Sequence, residues 1–245
     1  MNKKLMILLL LTTTVISFNS FGQKEQANGK KVYVQNVSDL MFQLSESIDT
    51  ANNAFNNGVK TTYFFNYAEM IHIDLSNNYG MITGLSIRNV GMKTFDETIG
   101  NINYDKVKRR VFALGGSVAF KVGAFSKHSF IYAGCEYEIA FHYRQKLYDN
   151  FGKIIKQGEW LSTATNRFLP STFIGYQLPS GFNIQMKYYL NDFLNNSYKG
   201  VFGDFTLFKK SQIICFILSY QLNKSKGETS ILDKIEEKKG DIFDL

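Results

Sequence analysis

Ile131-Tyr132-Ala133-Gly134-Cys135-Glu136-Tyr137-Glu138-Ile139-Ala140-Phe141-His142-Tyr143-Arg144 decides the fold. Alternate positions separate it into Ile131, Ala133, Cys135, Tyr137, Ile139, Phe141 and Tyr143 on one side and Tyr132, Gly134, Glu136, Glu138, Ala140, His142 and Arg144 on the other. A repeat of two is the spacing of a β-strand, whose successive side chains point to opposite faces. One face here is apolar, and the other holds four ionisable groups.

Working outward, the same division recurs. Phe182, Ile184, Met186, Tyr188 and Leu190 oppose Asn183, Gln185, Lys187, Tyr189 and Asn191, and Ile71, Ile73 and Leu75 oppose His72, Asp74 and Ser76. Weaker versions run through 81–92, 109–120, 167–178 and 212–222. The turn formers Asn77-Asn78-Tyr79-Gly80, Gly123 to His128 and Leu178-Pro179-Ser180-Gly181 make short connections. Polar stretches at 95–107, 145–164 and 192–210 read as long loops. Short turns at one end and long loops at the other are the pattern of outer-membrane barrels, whose strands are even in number when both chain ends lie on the periplasmic side. Seven strands are clear, and the eighth is assigned to 39–49, with Leu40, Phe42 and Leu44 alternating, in preference to 200–208. A short helix over 37–48 is the competing reading. The fold class expected is all-β, an up-and-down antiparallel membrane β-barrel of about eight strands.

Alternation does not say which face is outside. A soluble carrier of the lipocalin kind would turn the apolar face inward around a ligand. Strands of roughly 10 to 16 residues, longer than the 9 to 11 needed to cross a bilayer, favour apolar-out. So do aromatics near strand ends, at Phe120, Tyr143, Tyr188, Tyr189, Phe193 and Tyr220, where interfacial girdles belong.

The first residues agree with export. Lys3 and Lys4 precede the apolar run Leu5–Leu11, and Ser20-Phe21-Gly22 precede Gln23, the form of a secretory signal peptide cleaved after Gly22. The expected organisation is a signal peptide over 1–22, a periplasmic segment over 23–38, the barrel over 39–223 and a charged periplasmic tail over 224–245. Composition fits: 22 Phe, 14 Tyr and 19 Gly stand beside only 2 Pro, a set suited to pleated sheet. The net charge of +7 includes both leader lysines and is too mild and dispersed for nucleic acid. Cys135 and Cys215 fall on opposite faces of their strands and are not expected to pair.

Facing inward, His72, Asp74, Arg88, Glu136, Glu138, His142, Arg144, Gln185 and Lys187 would share one narrow lumen as a polar network, since unpaired charge is costly there. An open diffusion pore needs roughly 16 strands. Glu136, Glu138 and His142 have strand spacing suited to a metal ion or an acid–base pair, but a structural ion network accounts for them more simply. No G-x-S-x-G elbow accompanies His72, His128 or His142, so catalytic, metal and cofactor sites are all expected to be absent. The basic run Lys106, Lys108, Arg109 and Arg110 is a candidate contact for lipopolysaccharide phosphates.

With Thr83-Gly84-Leu85-Ser86-Ile87-Arg88-Asn89-Val90-Gly91, Glu136-Tyr137-Glu138 and Lys187-Tyr188-Tyr189-Leu190 in place, the chain resembles the small outer-membrane β-barrel proteins of Bacteroidota, the PorT-like group. That resemblance, over about 40–223, implies an eight-stranded barrel and brings no catalytic motif. It also implies, for some members, a link to secretion or surface assembly. The chain departs from the common pattern where Tyr220-Gln221-Leu222 is followed by a tail. The function expected is a non-enzymatic anchor or accessory for surface or secretion partners, surrounded by outer-membrane lipid, its protein partner unidentified. The alternatives are a lipid-binding barrel, either lipopolysaccharide-contacting or a soluble periplasmic carrier, and, behind them, an outer-membrane lipid hydrolase.

Overall fold

A computed structural model describes residues 31–149 and 151–220; the leader and the expected tail lie outside the described residues. Eight long strands form the wall: β1 (Lys31–Asp49), β2 (Tyr67–Asp74), β3 (Tyr79–Ile99), β4 (Ile102–Ala124), β5 (Ser129–Asp149), β6 (Phe168–Gln177), β7 (Phe182–Tyr189) and β8 (Phe208–Tyr220). Each pairs antiparallel with its neighbour in sequence, and β8 closes on β1 from Asp39↔Ser219 to Asp49↔Phe208. Closure of β8 on β1 leaves the ring of eight strands without an edge strand, a requirement inside a bilayer.

Residues 39–49 therefore belong to the ring, as strand and not as helix. The strand starts earlier than expected, at Lys31, because Lys31–Ser38 pair with Asp74–Tyr67 of β2. Most of the segment expected to be periplasmic from 23 to 38 thus falls either in β1 or outside the described residues.

The two ends differ, though not as the loop lengths suggest. Short turns at 75–78, 125–128 and 178–181 share one end with Lys31 and Tyr220. At the other end, 95–107 is not a loop: β3 and β4 continue to a tight reversal at Gly100 and Asn101, with Gly100 at φ +65, a value at which a side chain would strain the backbone. Part of 145–164 is likewise sheet, since Gly152–Trp160 pairs back on β5. Both stretches rise clear of the apolar belt, and there one face keeps only a small apolar cluster of Ile99, Tyr104, Val107, Leu147 and Ile155, which weakens the contrast that marks a strand. Of the two other connections at this end, 50–66 and 190–207, the first fills the gap above short β2: Asn56–Gly58 pair with β3 and Lys60–Thr62 with β1.

Outward from β5 point Ile131, Ala133, Cys135, Tyr137 and Ile139, all exposed, while Tyr132, Glu136, Glu138 and Ala140 are buried. Ile184 is 49% exposed and Glu138 0%. Apolar-out is thus the observed arrangement. β4 supplies small inward residues, Ala113, Gly115, Ser117 and Ala119, and their size makes room for large charged ones from its neighbours. A Cβ at Gly115 would meet Glu136 Oε1 at 2.7 Å and Glu138 Cγ at 2.8 Å.

Candidate functional site

The lumen contains ten buried charged side chains, five cations (Lys60, Arg88, Arg109, Lys121, Lys187) and five carboxylates (Asp39, Asp74, Glu97, Glu136, Glu138), among the described residues. Four of the cations meet carboxylates, and Lys60 donates instead to Asn89 O at 3.1 Å and Asn89 Oδ1 at 3.3 Å, since low-dielectric surroundings demand a partner for each. The pairs are stacked in three levels along the barrel.

The middle level is the densest. Lys187 Nζ donates to Glu136 Oε2 at 2.7 Å and to Glu138 Oε1 at 2.5 Å, while Tyr189 O–H donates to Glu138 Oε2 at 2.9 Å. Arg88 spans to Asp39 and, through Nε, to Glu136 at 3.3 Å, and the Ser86 hydroxyl donates to the same carboxylate. Near the short turns, Lys121 Nζ lies 2.6 Å from Asp74 and 3.2 Å from His72 Nδ1, within a ring of Tyr33, Phe125 and Phe130. Toward the hairpin end, Arg109 forms a two-pronged pair with Glu97, with Nη1 to Oε2 at 2.7 Å, and its guanidinium lies 5.2 Å from the Phe205 ring. Above that, Phe193, Leu194, Phe202 and Phe205 from the connection between β7 and β8 turn inward and seal the mouth. Two cavities among these residues measure about 40 and 50 Å³, room for a few waters at most.

Of the expected inward residues, His72, Asp74, Arg88, Glu136, Glu138, Gln185 and Lys187 are buried in the lumen. His142 and Arg144 are not, and Tyr143, expected among the girdle aromatics, is inside with 1% exposure. The cause is a bulge at Phe141: Ala113 pairs with Ala140 and Phe112 with His142, so one residue drops out of the count and every later side chain changes face. His142 consequently stacks on Trp160 at 4.5 Å outside the wall. Glu136, Glu138 and His142 cannot share an ion or a proton.

Tyr189 and Phe193 are also buried and leave the expected girdle. The basic run divides in the same way: Lys106, Lys108 and Arg110 face outward, and Arg109 faces the lumen with 1% exposure. Asp39, Lys60, Glu97 and Lys121 join the network without having been singled out. Alternation carried through β4 marks Lys121, and Arg109 with it, because Val107, Arg109, Val111 and Lys121 share parity with Ala113 and Ala119.

Outside, the apolar surface is bounded by aromatics. Tyr79, Tyr176, Phe182 and Tyr220 ring the short-turn end. At the other end lie Tyr63, Phe64 and Phe65, with Phe64 75% exposed, and the row Phe112↔His142↔Trp160, with Trp160 69% exposed. Ten residues of β4 separate Val122 from Phe112, about 34 Å along the strand and roughly 26 Å of height at a tilt near 40°. That matches a hydrocarbon band of about 25 Å.

No family model matches this sequence, and no curated protein matches it. Among solved structures the chain is similar to Ail, the attachment invasion locus protein of Yersinia pestis, in complex with the heparin analogue sucrose octasulfate. Identity is 9%, the TM-score 0.38, and the match covers 77% of this chain and 97% of that one. No residue is carried across at that distance.

Proposed function

We propose that the protein is a non-enzymatic outer-membrane barrel that anchors an extracellular sheet for surface or secretion partners, as the resemblance to the PorT-like group implies. The observation that carries this reading is a lipid-height apolar belt closed around a lumen of paired charges. Leaving that belt in water would expose far more contiguous apolar surface than the few hundred Å² a soluble protein carries. The carrier alternative lacks support, since the interior offers ion pairs and two small cavities in place of an apolar ligand site. Hydrolase chemistry finds no support: among the described residues, His72 is engaged by Lys121, His142 lies on Trp160 and His128 caps the Phe125–Lys127 turn, and none of the three rings is bonded to a serine. The extensions of β3, β4 and β5 with Gly152–Trp160 supply a rigid sheet above the membrane where partners would dock.

Fractionation and gel migration test the membrane reading together. The protein should need detergent for extraction, and unboiled samples should migrate differently from boiled ones, because a closed barrel resists denaturant until heated. Recovery in the soluble fraction without detergent would sink it.

A further inference from the structure

The outer face of the sheet above the girdle carries a ladder of cations. Lys93 on β3 lies opposite Lys108 on β4, Lys108 opposite Lys146 on β5, and Lys146 opposite Lys156 on the Gly152–Trp160 strand. Two residues nearer the membrane, Arg110 lies opposite Arg144. Like charges directly across a strand pair repel and destabilise the sheet. Four lysines in one cross-strand row above two arginines therefore require an explanation beyond folding.

No carboxylate among the described residues forms an ion pair with Lys93, Lys106, Lys108, Arg110, Arg144 or Lys156. Several of these cations lie over aromatic rings: Lys93 is 4.9 Å from the Phe95 ring, Lys106 and Lys108 are 4.7 and 5.4 Å from Tyr148, and Arg110 is 5.4 Å from Phe112. A ring holds a cation in place while leaving its N–H donors for another acceptor. Arg110 Nε is buried without a hydrogen-bond partner. Burial, then Lys106, Lys93 and Arg110, hold the Lys108 ammonium below its ordinary range, so an anion arriving there relieves both repulsion and desolvation. Gly58 lies opposite Lys93 in the same row, and its lack of a side chain lets the Lys93 chain lie across it, since a Cβ there would fall 2.3 Å from Lys93 Cε.

Height identifies the anion. The girdle row Phe112↔His142↔Trp160 lies two residues below the arginines and four below the lysines, about 13 Å along the strands and roughly 10 Å of height. Aromatic girdles mark the edge of the hydrocarbon. Cations at that distance above it stand among the headgroups.

We propose that the Lys93, Lys108, Lys146 and Lys156 row, with Arg110 and Arg144, clamps the phosphates of phosphorylated lipid headgroups in the outer leaflet. Spacing favours more than one phosphate per lipid, because strands about 4.8 Å apart place the outermost lysines some 14 Å from one another. Arginine pairs two N–H groups with one phosphate, and the lysines add point charges around it. The inference rests on the membrane reading above.

Trp160 is the only tryptophan in the sequence and stands in the girdle row beside the clamp, so its fluorescence reports occupancy. The purified full chain, first verified as heat-modifiable, is placed in phosphocholine nanodiscs containing increasing fractions of bis-phosphorylated lipid A or its dephosphorylated form. Saturable change with the phosphorylated lipid only is expected. Each lysine removed should weaken it about fivefold, so Lys108→Gln with Lys146→Gln weakens it roughly twenty-fivefold while heat-modifiability is retained. Lys156→Gln, at the exposed outer strand, provides the same reading if the double variant fails to fold. Equal response to both lipids, or undiminished response in the folded variants, overturns the clamp while leaving the barrel standing. A free sulfated polysaccharide that binds as tightly in plain phosphocholine discs overturns the headgroup assignment. Failure of heat-modifiability in the unmodified protein counts instead against the membrane reading.

Discussion

Lys187 is the residue on which the lumen turns, because it is the one ammonium shared by Glu136 and Glu138. A buried ion pair contributes little net stability against a well-packed apolar substitute, yet removing one partner strands the other. Lys187→Met should therefore cost about 3–5 kcal/mol, read as a lower urea midpoint for the folded, heat-modifiable band. Adding Glu138→Gln removes one stranded charge and should restore part of that loss. Equal midpoints for the single and double variants would show that the carboxylates find other partners. Gly115 makes the complementary point about space. Gly115→Val has to displace both carboxylates, and overpacking of this kind costs about 1–3 kcal/mol; an unshifted midpoint would mean that the network moves freely.

At the level of elements, seven strands were legible because each crosses an environment with two unlike sides, hydrocarbon and a polar lumen. The eighth, 39–49, stands ahead of 200–208 only through the requirement for an even number, and the first eight residues of β1, Lys31–Ser38, read as a periplasmic segment. What escaped were places where that contrast fails. The hairpin of β3 and β4 beyond Phe95 and Lys106 keeps only a small apolar cluster, Ile99 and Tyr104 with Val107, Leu147 and Ile155, too little alternation to mark it as strand, so it read as loop although it is continuous sheet. Phe141 escaped for a different reason: a bulge alters no residue type, and only pairing with Phe112 and Ala113 shows that one position has been skipped. Arg109 was mistaken for part of a surface run because charge density was weighed there without parity. The bulge yields a direct prediction. With Cys135 and Cys215 replaced by serine, single cysteines at 142 and 144 should react with a micelle-soluble maleimide, whereas cysteines at 143 and 145 should resist. The opposite phase would be seen if β5 ran regularly through 141.

For the whole molecule, the question is whether anything passes through. A ring of eight strands encloses a space that side chains can fill, and here they do so at three heights with different chemistry: Lys121 with Asp74, then Arg88 and Lys187 with three carboxylates, then Arg109 with Glu97 beneath inward-turned phenylalanines. An ion crossing the barrel would have to separate each pair in turn in a space closed to bulk water. The two cavities of about 40 and 50 Å³ have separate linings, one around His72, Arg88 and Tyr132 and the other around Glu97, Arg109 and Phe205, and each has room for no more than a few waters. In planar bilayers the intact protein should accordingly show no steady conductance steps under applied voltage. Because the ionic levels lie below the mouth, shortening the connection between β7 and β8 so that Phe193, Leu194, Phe202 and Phe205 are lost should leave the barrel closed as well. Steps appearing in that variant would place the seal in the phenylalanine lid, and steps in the intact protein would make the lumen a channel.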